Sequence, residues 1–316
     1  MTVKLRFLFA LFLTLATGGR AVSLGAALFG AYEASHRSIT SLPRPATFRD
    51  VSGRGLLIRT WVNSQGPFNF AIDTGAGATI LSQRVAEEAG VNFSGGRRLS
   101  VAGLSGTGSI ARQASIESLA IGDRENVLPG KGEVMVSSGL PRDLDGLLDP
   151  TEALSPFGYV IDIPRHEISA FDPQMTPVRM NNQPEEGAVV PWLLERSGRR
   201  PFVQLDDGQR ALLDTGSGLG LAIRESGPRN QETAASVRDI GGGSISARRV
   251  AARTIAIGSL TLRRIPTDLV SGAEADAPVL LGLSALRPFR LCFDPAHRLI
   301  EIAPSESSRS LPYRER

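Results

Sequence analysis

Cysteine is almost missing from this chain: among 316 residues only Cys292 occurs. A single thiol excludes an internal disulfide framework and any cysteine zinc cluster. Histidine is nearly as scarce, and His36, His166 and His297 show no spacing that would set two of them on one metal. Neither a metal nor another cofactor is expected. Aromatic residues make up 6% of the chain, and no dense Lys/Arg run is interleaved with them. The footprint of a phosphate-backbone binder is therefore lacking, and no nucleic-acid partner is expected. The formal net charge of +3 leans on Lys4, Arg6 and Arg20 near the N-terminus, and the remainder is close to neutral. With 41% hydrophobic and 21% charged positions the composition is that of a globular chain, and its length suggests two domains.

What is present begins with a leader. Lys4 and Arg6 precede an apolar run, Phe7 through Ala16, that is shorter than the ~20 residues of a spanning helix. It reads as a secretory signal with Gly19-Arg20-Ala21 as the cleavage region, while a second apolar stretch, Ala21 through Ala31, makes an uncleaved membrane anchor the alternative for residues 1–31. Export is expected, to the periplasm or beyond, or with the chain held at the inner membrane by its leader. Ser41 through Pro45 reads as a linker, and Pro173 through Gly187 is rich in Pro, Asn and Glu without apolar periodicity. The boundaries are accordingly 48–172 for a first lobe, 173–187 for a linker, 188–303 for a second lobe and 304–316 for a polar, flexible tail.

The two lobes repeat each other. Phe70-Ala71-Ile72-Asp73-Thr74-Gly75-Ala76 answers to Ala211-Leu212-Leu213-Asp214-Thr215-Gly216-Ser217. Further matches follow in the same order: Ser109-Ile110 with Ser244-Ile245, Ala120-Ile121-Gly122 with Ala256-Ile257-Gly258, Leu147-Leu148 with Leu280-Leu281, and Pro156-Phe157 with Pro288-Phe289. Two copies of one supersecondary plan explain this most simply. Local signals are mostly β. Leu56 through Val62 and Phe68 through Ile72 flank Asn63-Ser64-Gln65-Gly66-Pro67 as a hairpin. Ser82 caps a short helix that Gly90 ends, with Val85, Ala86 and Ala89 on one face. Many short strands with Gly-rich turns predict mostly antiparallel, barrel-like lobes.

In each copy an Asp-Thr-Gly follows an apolar strand directly, so the strand delivers the aspartate to a tight turn. The threonine can bond the local backbone or its counterpart, and the glycine permits close approach of two chains. Joined about a pseudo-two-fold axis, the lobes would set Asp73 against Asp214.

These paired motifs resemble those of the pepsin and retropepsin class of aspartic peptidases, and most of all the bacterial exported members that carry two retropepsin-like lobes in one chain. The resemblance runs from about residue 50 to residue 303. It implies a mostly β fold of two homologous acid-protease barrels, a water held between Asp73 and Asp214, and a peptide or protein substrate. It further implies support of the site by Thr74, Gly75, Ala76, Thr215, Gly216 and Ser217, the Ser217 hydroxyl assisting its aspartate where Ala76 cannot. The class also carries a hydrophobic-hydrophobic-Gly crossing beside each turn; Leu280-Leu281-Gly282 fits it, whereas Leu147-Leu148-Asp149 puts an acid where the glycine belongs. Asp149 reads as a cap on Pro150-Thr151-Glu152 or as a third carboxyl near the centre. Gly103, Gly106 and Gly108 in one lobe and Gly241, Gly242 and Gly243 in the other stand where flaps over the substrate are expected, read equally well as hairpin turns. His166 and His297 read as turn residues, and Cys292 as a buried strand residue. Because both halves lie in one chain, a monomer is expected. The rival reading is a peptide-binding or scaffolding module of the cell envelope that keeps the cleft without turnover.

Overall fold

Each copy of the repeat is organised around a hairpin that delivers its Asp-Thr-Gly. In the computed structural model the described residues are 41–93, 96–194, 199–225, 234–239, 242–274 and 276–305, together with the two-residue strands Arg6–Phe7 and Phe12–Leu13. The rest of the leader, residues 306–316 of the tail and Gly241 lie outside the described residues. In the first lobe Gly55–Val62 pairs antiparallel with Gln65–Ile72. The turn is tighter than the five residues expected: only Asn63 and Ser64 form it, both with positive φ (48° and 63°), as a two-residue hairpin connection requires. Asn63 holds that conformation by accepting from Glu117 N–H at 2.7 Å and donating to Ala89 C=O at 2.9 Å. The second lobe repeats the plan with Phe202–Gln204 and Arg210–Asp214.

A third strand crosses beside each hairpin. Gly146–Leu148 runs parallel to Phe70–Ile72, and Val279–Gly282 runs parallel to Ala211–Asp214. After Ile80–Ser82 the helix Gln83–Glu88 forms where expected, with Ser82 Oγ accepting from Val85 N–H, Val85, Ala86 and Ala89 buried, and Gly90 at φ 60° beyond its end.

The lobes meet in a shared sheet. Strand Gly158–Asp162 pairs antiparallel with Phe289–Asp294, so that Val160 lies opposite Cys292, its own counterpart in the repeat. That register is what a two-fold axis through this pair demands. Tyr159 stacks on Phe293 with centroids 4.7 Å apart, and both are fully buried; side chains of this size contribute roughly 1.5–3 kcal/mol each by leaving water. Strands Glu167–Phe171 and Ala46–Val51 extend the sheet on one side, and Leu299–Pro304 and Ala188–Pro191 on the other. Residues 172–187 between the lobes contain no helix or strand, and Val178 N–H in this connection donates to Asp294 Oδ2 at 3.0 Å. The molecule is mostly β, with two homologous lobes.

His166 sits in a turn with φ 55°, and His297 bonds Asp294 through Nδ1 at 2.9 Å. Cys292 is buried in its strand, which pushes its thiol up to about 12; such a thiol is inert as a nucleophile.

Candidate active site

The two Asp-Thr-Gly turns interlock. Thr74 Oγ1 donates to Leu213 C=O at 2.7 Å and accepts from Thr215 N–H at 3.1 Å. Thr215 Oγ1 donates to Ile72 C=O at 2.9 Å and accepts from Thr74 N–H at 3.1 Å. Each hydroxyl thus closes the backbone of the opposite lobe, and all of it is buried. The glycines explain themselves by contact. A Cβ on Gly75 would stand 2.8 Å from Asp214 Cγ, and one on Gly216 would stand 2.5 Å from Asp73 Cγ. Only hydrogen fits there.

Asp73 and Asp214 are fully buried, and each carboxyl packs against the glycine of the other's turn, which brings the two together between the lobes. Their inner oxygens are held by the backbone: Gly75 N–H donates to Asp73 Oδ1 at 2.8 Å, while Gly216 and Ser217 N–H donate to Asp214 Oδ1 at 2.9 and 3.1 Å. The outer oxygens, Oδ2 of both residues, have no hydrogen-bond partner among the described residues. Burial, then the charge of Asp214, push Asp73 well above the usual carboxylate range, with Asp149 adding to the shift. Burial likewise raises Asp214, to about 7, against the Gly216 and Ser217 N–H bonds and the nearby Arg200. Two carboxyls so placed share a proton, one as acid and the other as base; aspartic proteases are the standard illustration of this effect.

The support differs from expectation at Ser217. Its Oγ accepts from Leu219 N–H at 3.3 Å, and it is the backbone N–H of Ser217 that reaches the carboxylate. Ala76 is buried in the first turn, its N–H on Asp73 C=O at 3.4 Å. Asp149 caps the helix Pro150–Ala153 by accepting from Thr151 N–H at 3.0 Å, yet it is also buried and within electrostatic reach of Asp73.

The described glycines of both runs lie in hairpin connections, and the two connections meet each other. Gly103 and Gly106 lie in the turn between Arg98–Ala102 and Gly108–Ser115, the second strand opening at Gly108; Gly242 and Gly243 lie between Ala235–Arg238 and Ser244–Ile257. Asp239 of the second tip accepts from Ser105 N–H at 2.8 Å and from its own Gly243 N–H at 3.0 Å. A Cβ on Gly103 would stand 2.2 Å from Asp239 Cγ, so this tip must be glycine. Leu104, 1% exposed, enters the apolar cluster of the second lobe with Phe202, Val237 and Ile245. Glu274 N–H donates to Leu104 C=O at 3.0 Å. The glycines stand out in the sequence, whereas Leu104, Asp239 and Arg200 do not. Asp239 carried one local signal, an acid placed directly before a glycine turn.

The comparisons with known proteins follow the same lines. Residues 58–133, which include the first Asp-Thr-Gly and the first glycine-rich hairpin connection, match the family described as "gag-polyprotein putative aspartyl protease". No curated protein matches the chain. Among solved structures, an aspartic proteinase from Irpex lacteus superposes with a TM-score of 0.55 at 11% identity, covering 84% of this chain and 98% of that one. At that identity the likeness speaks for the fold, and it extends over both lobes.

Proposed function

We propose that this chain, retropepsin-like in its first lobe and pepsin-like in its two-lobed fold, is an aspartic endopeptidase with Asp73 and Asp214 as its catalytic pair. The observation that carries the reading is the reciprocal threonine lattice, which fixes two buried carboxyls face to face with their outer oxygens unengaged. In the singly protonated pair the ionised carboxylate takes a proton from water, which attacks a peptide carbonyl. The protonated partner donates to the carbonyl oxygen as it becomes a tetrahedral oxyanion. No acyl-enzyme forms. Collapse returns a proton to the leaving amine and frees two peptides. Gly103, Gly106, Gly108, Gly242 and Gly243 shape the flaps that cover an extended peptide, whose main chain the flap backbone can bond.

Because Asp214 ionises near 7 and Asp73 higher, the singly protonated pair persists around neutral pH. Activity is therefore expected in the neutral range. Export, directed by the leader, completes the proposal, with residues 1–31 as cleaved signal or retained anchor. A peptide-library screen from acid to neutral pH, with binding measured in parallel, tests the assignment. New termini support an endopeptidase; tight binding without products at every pH would make the chain a binding module instead.

A further inference from the structure

The lobes differ where their symmetry should be strictest. In the second lobe Gly282 closes the crossing strand beside Asp214, and a Cβ there would stand 2.6 Å from Leu219 C=O and 2.7 Å from Ser217 C=O. In the first lobe the matching position holds Asp149. A second change accompanies it. Gly282 N–H donates to the backbone C=O of Gly220 at 2.8 Å, whereas Asp149 N–H donates to Oγ1 of Thr79, the residue that replaces Gly220 in the repeat, at 3.3 Å. Leu148, just before Asp149, accepts from Asp73 N–H at 2.9 Å, which sets the two aspartates on adjacent parallel strands.

Capping explains only half of this side chain. Oδ1 takes Thr151 N–H, and a serine or asparagine would do as much. Oδ2 has no partner, although the residue is 1% exposed. A buried carboxyl with one idle oxygen is costly to ionise, and groups so perturbed cluster at functional sites. Around Asp149 stand Glu152 and Thr151 on its helix, Tyr159 on Gly158–Asp162, Arg199 from the second lobe, and Asp73. Asp214 is biased the other way, with two N–H donors to the one on Asp73 and with Arg200 acting on it from its own lobe.

We propose that Asp149 is a positioning residue of the catalytic pair: its carboxyl, buried behind the first turn, keeps the shared proton on Asp73 and so leaves Asp214 as the carboxylate that activates water. The inference rests on the endopeptidase reading for its kinetic consequences; its proton placement rests on the strand register that sets Asp149 beside Asp73, on the unequal N–H donors of the pair and on the burial of all three carboxyls. Burial and the charge of Glu152 put Asp149 itself at about 7. It is thus uncharged at acid pH and charges as the pH passes neutrality, where its field opposes loss of the proton from Asp73. The alkaline limb of activity depends on it, and the acid limb, set by Asp214, does not.

The test is the pH profile of kcat/KM for Asp149→Asn, which preserves the cap, beside Glu152→Gln as control. Asp149→Asn is expected to move the alkaline limb to lower pH by about one unit, the order of shift that loss of a neighbouring like charge produces, and to leave the acid limb in place. Glu152→Gln should leave the alkaline limb unmoved, because Asp149 is then charged already. An unmoved profile in Asp149→Asn, or both limbs displaced together, overturns the proposal. Titration of 13C-labelled aspartate carboxyls in the full chain gives a second readout that needs no turnover: Asp73 should ionise at lower pH in the variant, and an unchanged Asp73 refutes the idea. A chain that shows this shift but cleaves nothing would refute the endopeptidase reading and leave the proton placement standing. Asp149→Ser, which keeps an oxygen for Thr151 N–H, replaces Asn if that variant does not fold.

Discussion

Replacing Thr215 by valine keeps the shape of the side chain and removes one hydroxyl. In the structure that hydroxyl donates to Ile72 C=O and accepts from Thr74 N–H, both in the opposite lobe and both fully enclosed. Water cannot replace it without opening the turns, so two buried backbone groups lose their partners, at about 1–3 kcal/mol each. The expected loss is therefore about 2–6 kcal/mol, a large share of the ~5–15 kcal/mol that holds a typical domain together. Thr74→Val strands Leu213 C=O and Thr215 N–H and should cost about the same. The double variant should cost less than the two single losses added together, because both act on one network. Urea unfolding followed by fluorescence of Trp61 and Trp192 measures all three. Losses below about 0.5 kcal/mol for each single variant, or strict additivity, would refute the claim that these hydroxyls lock the lobes.

Gly75→Ala drives a methyl group to 2.8 Å from Asp214 Cγ; a cleavage rate lowered on the order of a hundredfold is expected, with stability falling by only about 1–3 kcal/mol. Wild-type rates in that variant would show that the carboxyl spacing is not critical. For pH, Asp149 and Asp214 titrate near 7 in the folded chain and near 3.9 unfolded. The folded state holds their protons more tightly, so their contribution is fully present below about pH 4 and is lost as pH rises through 7. Relative to Asp149→Asn, the wild type should lose several kcal/mol across that window in chemical denaturation, and a difference constant with pH would contradict the burial argument. Asp239→Ala removes the acceptor of Ser105 N–H. Exchange of that amide should quicken about tenfold, and unaltered protection would mean that Leu104 alone holds the hairpin connection in place.

The parts legible in the sequence were those written locally. The Ser82 cap, the apolar face of Val85, Ala86 and Ala89, and the strand that ends at each Asp-Thr-Gly all follow from neighbours a few positions apart. The repeat supplied the two-fold relation, and Val160 opposite Cys292 is its structural form. What stayed hidden were contacts between distant residues: Leu104 in the core of the other lobe, Asp239 on Ser105, and Arg200 beside Gly77. No periodicity marks such pairs. The Asn63-Ser64 turn was placed too broadly because Gln65-Gly66-Pro67 carry turn residues yet pair as strand, and only the tertiary bonds of Asn63 decide between the two. The partner of the Asp149 N–H is likewise Thr79, seventy positions away.

The central claim is that one carboxyl from each lobe performs the hydrolysis jointly. Its most direct test is the turnover of a single identified peptide by the wild type, Asp73→Asn and Asp214→Asn, each verified as folded. Cleavage is expected from the wild type, and a loss of at least about a thousandfold in both variants. Undiminished cleavage by either variant would contradict it.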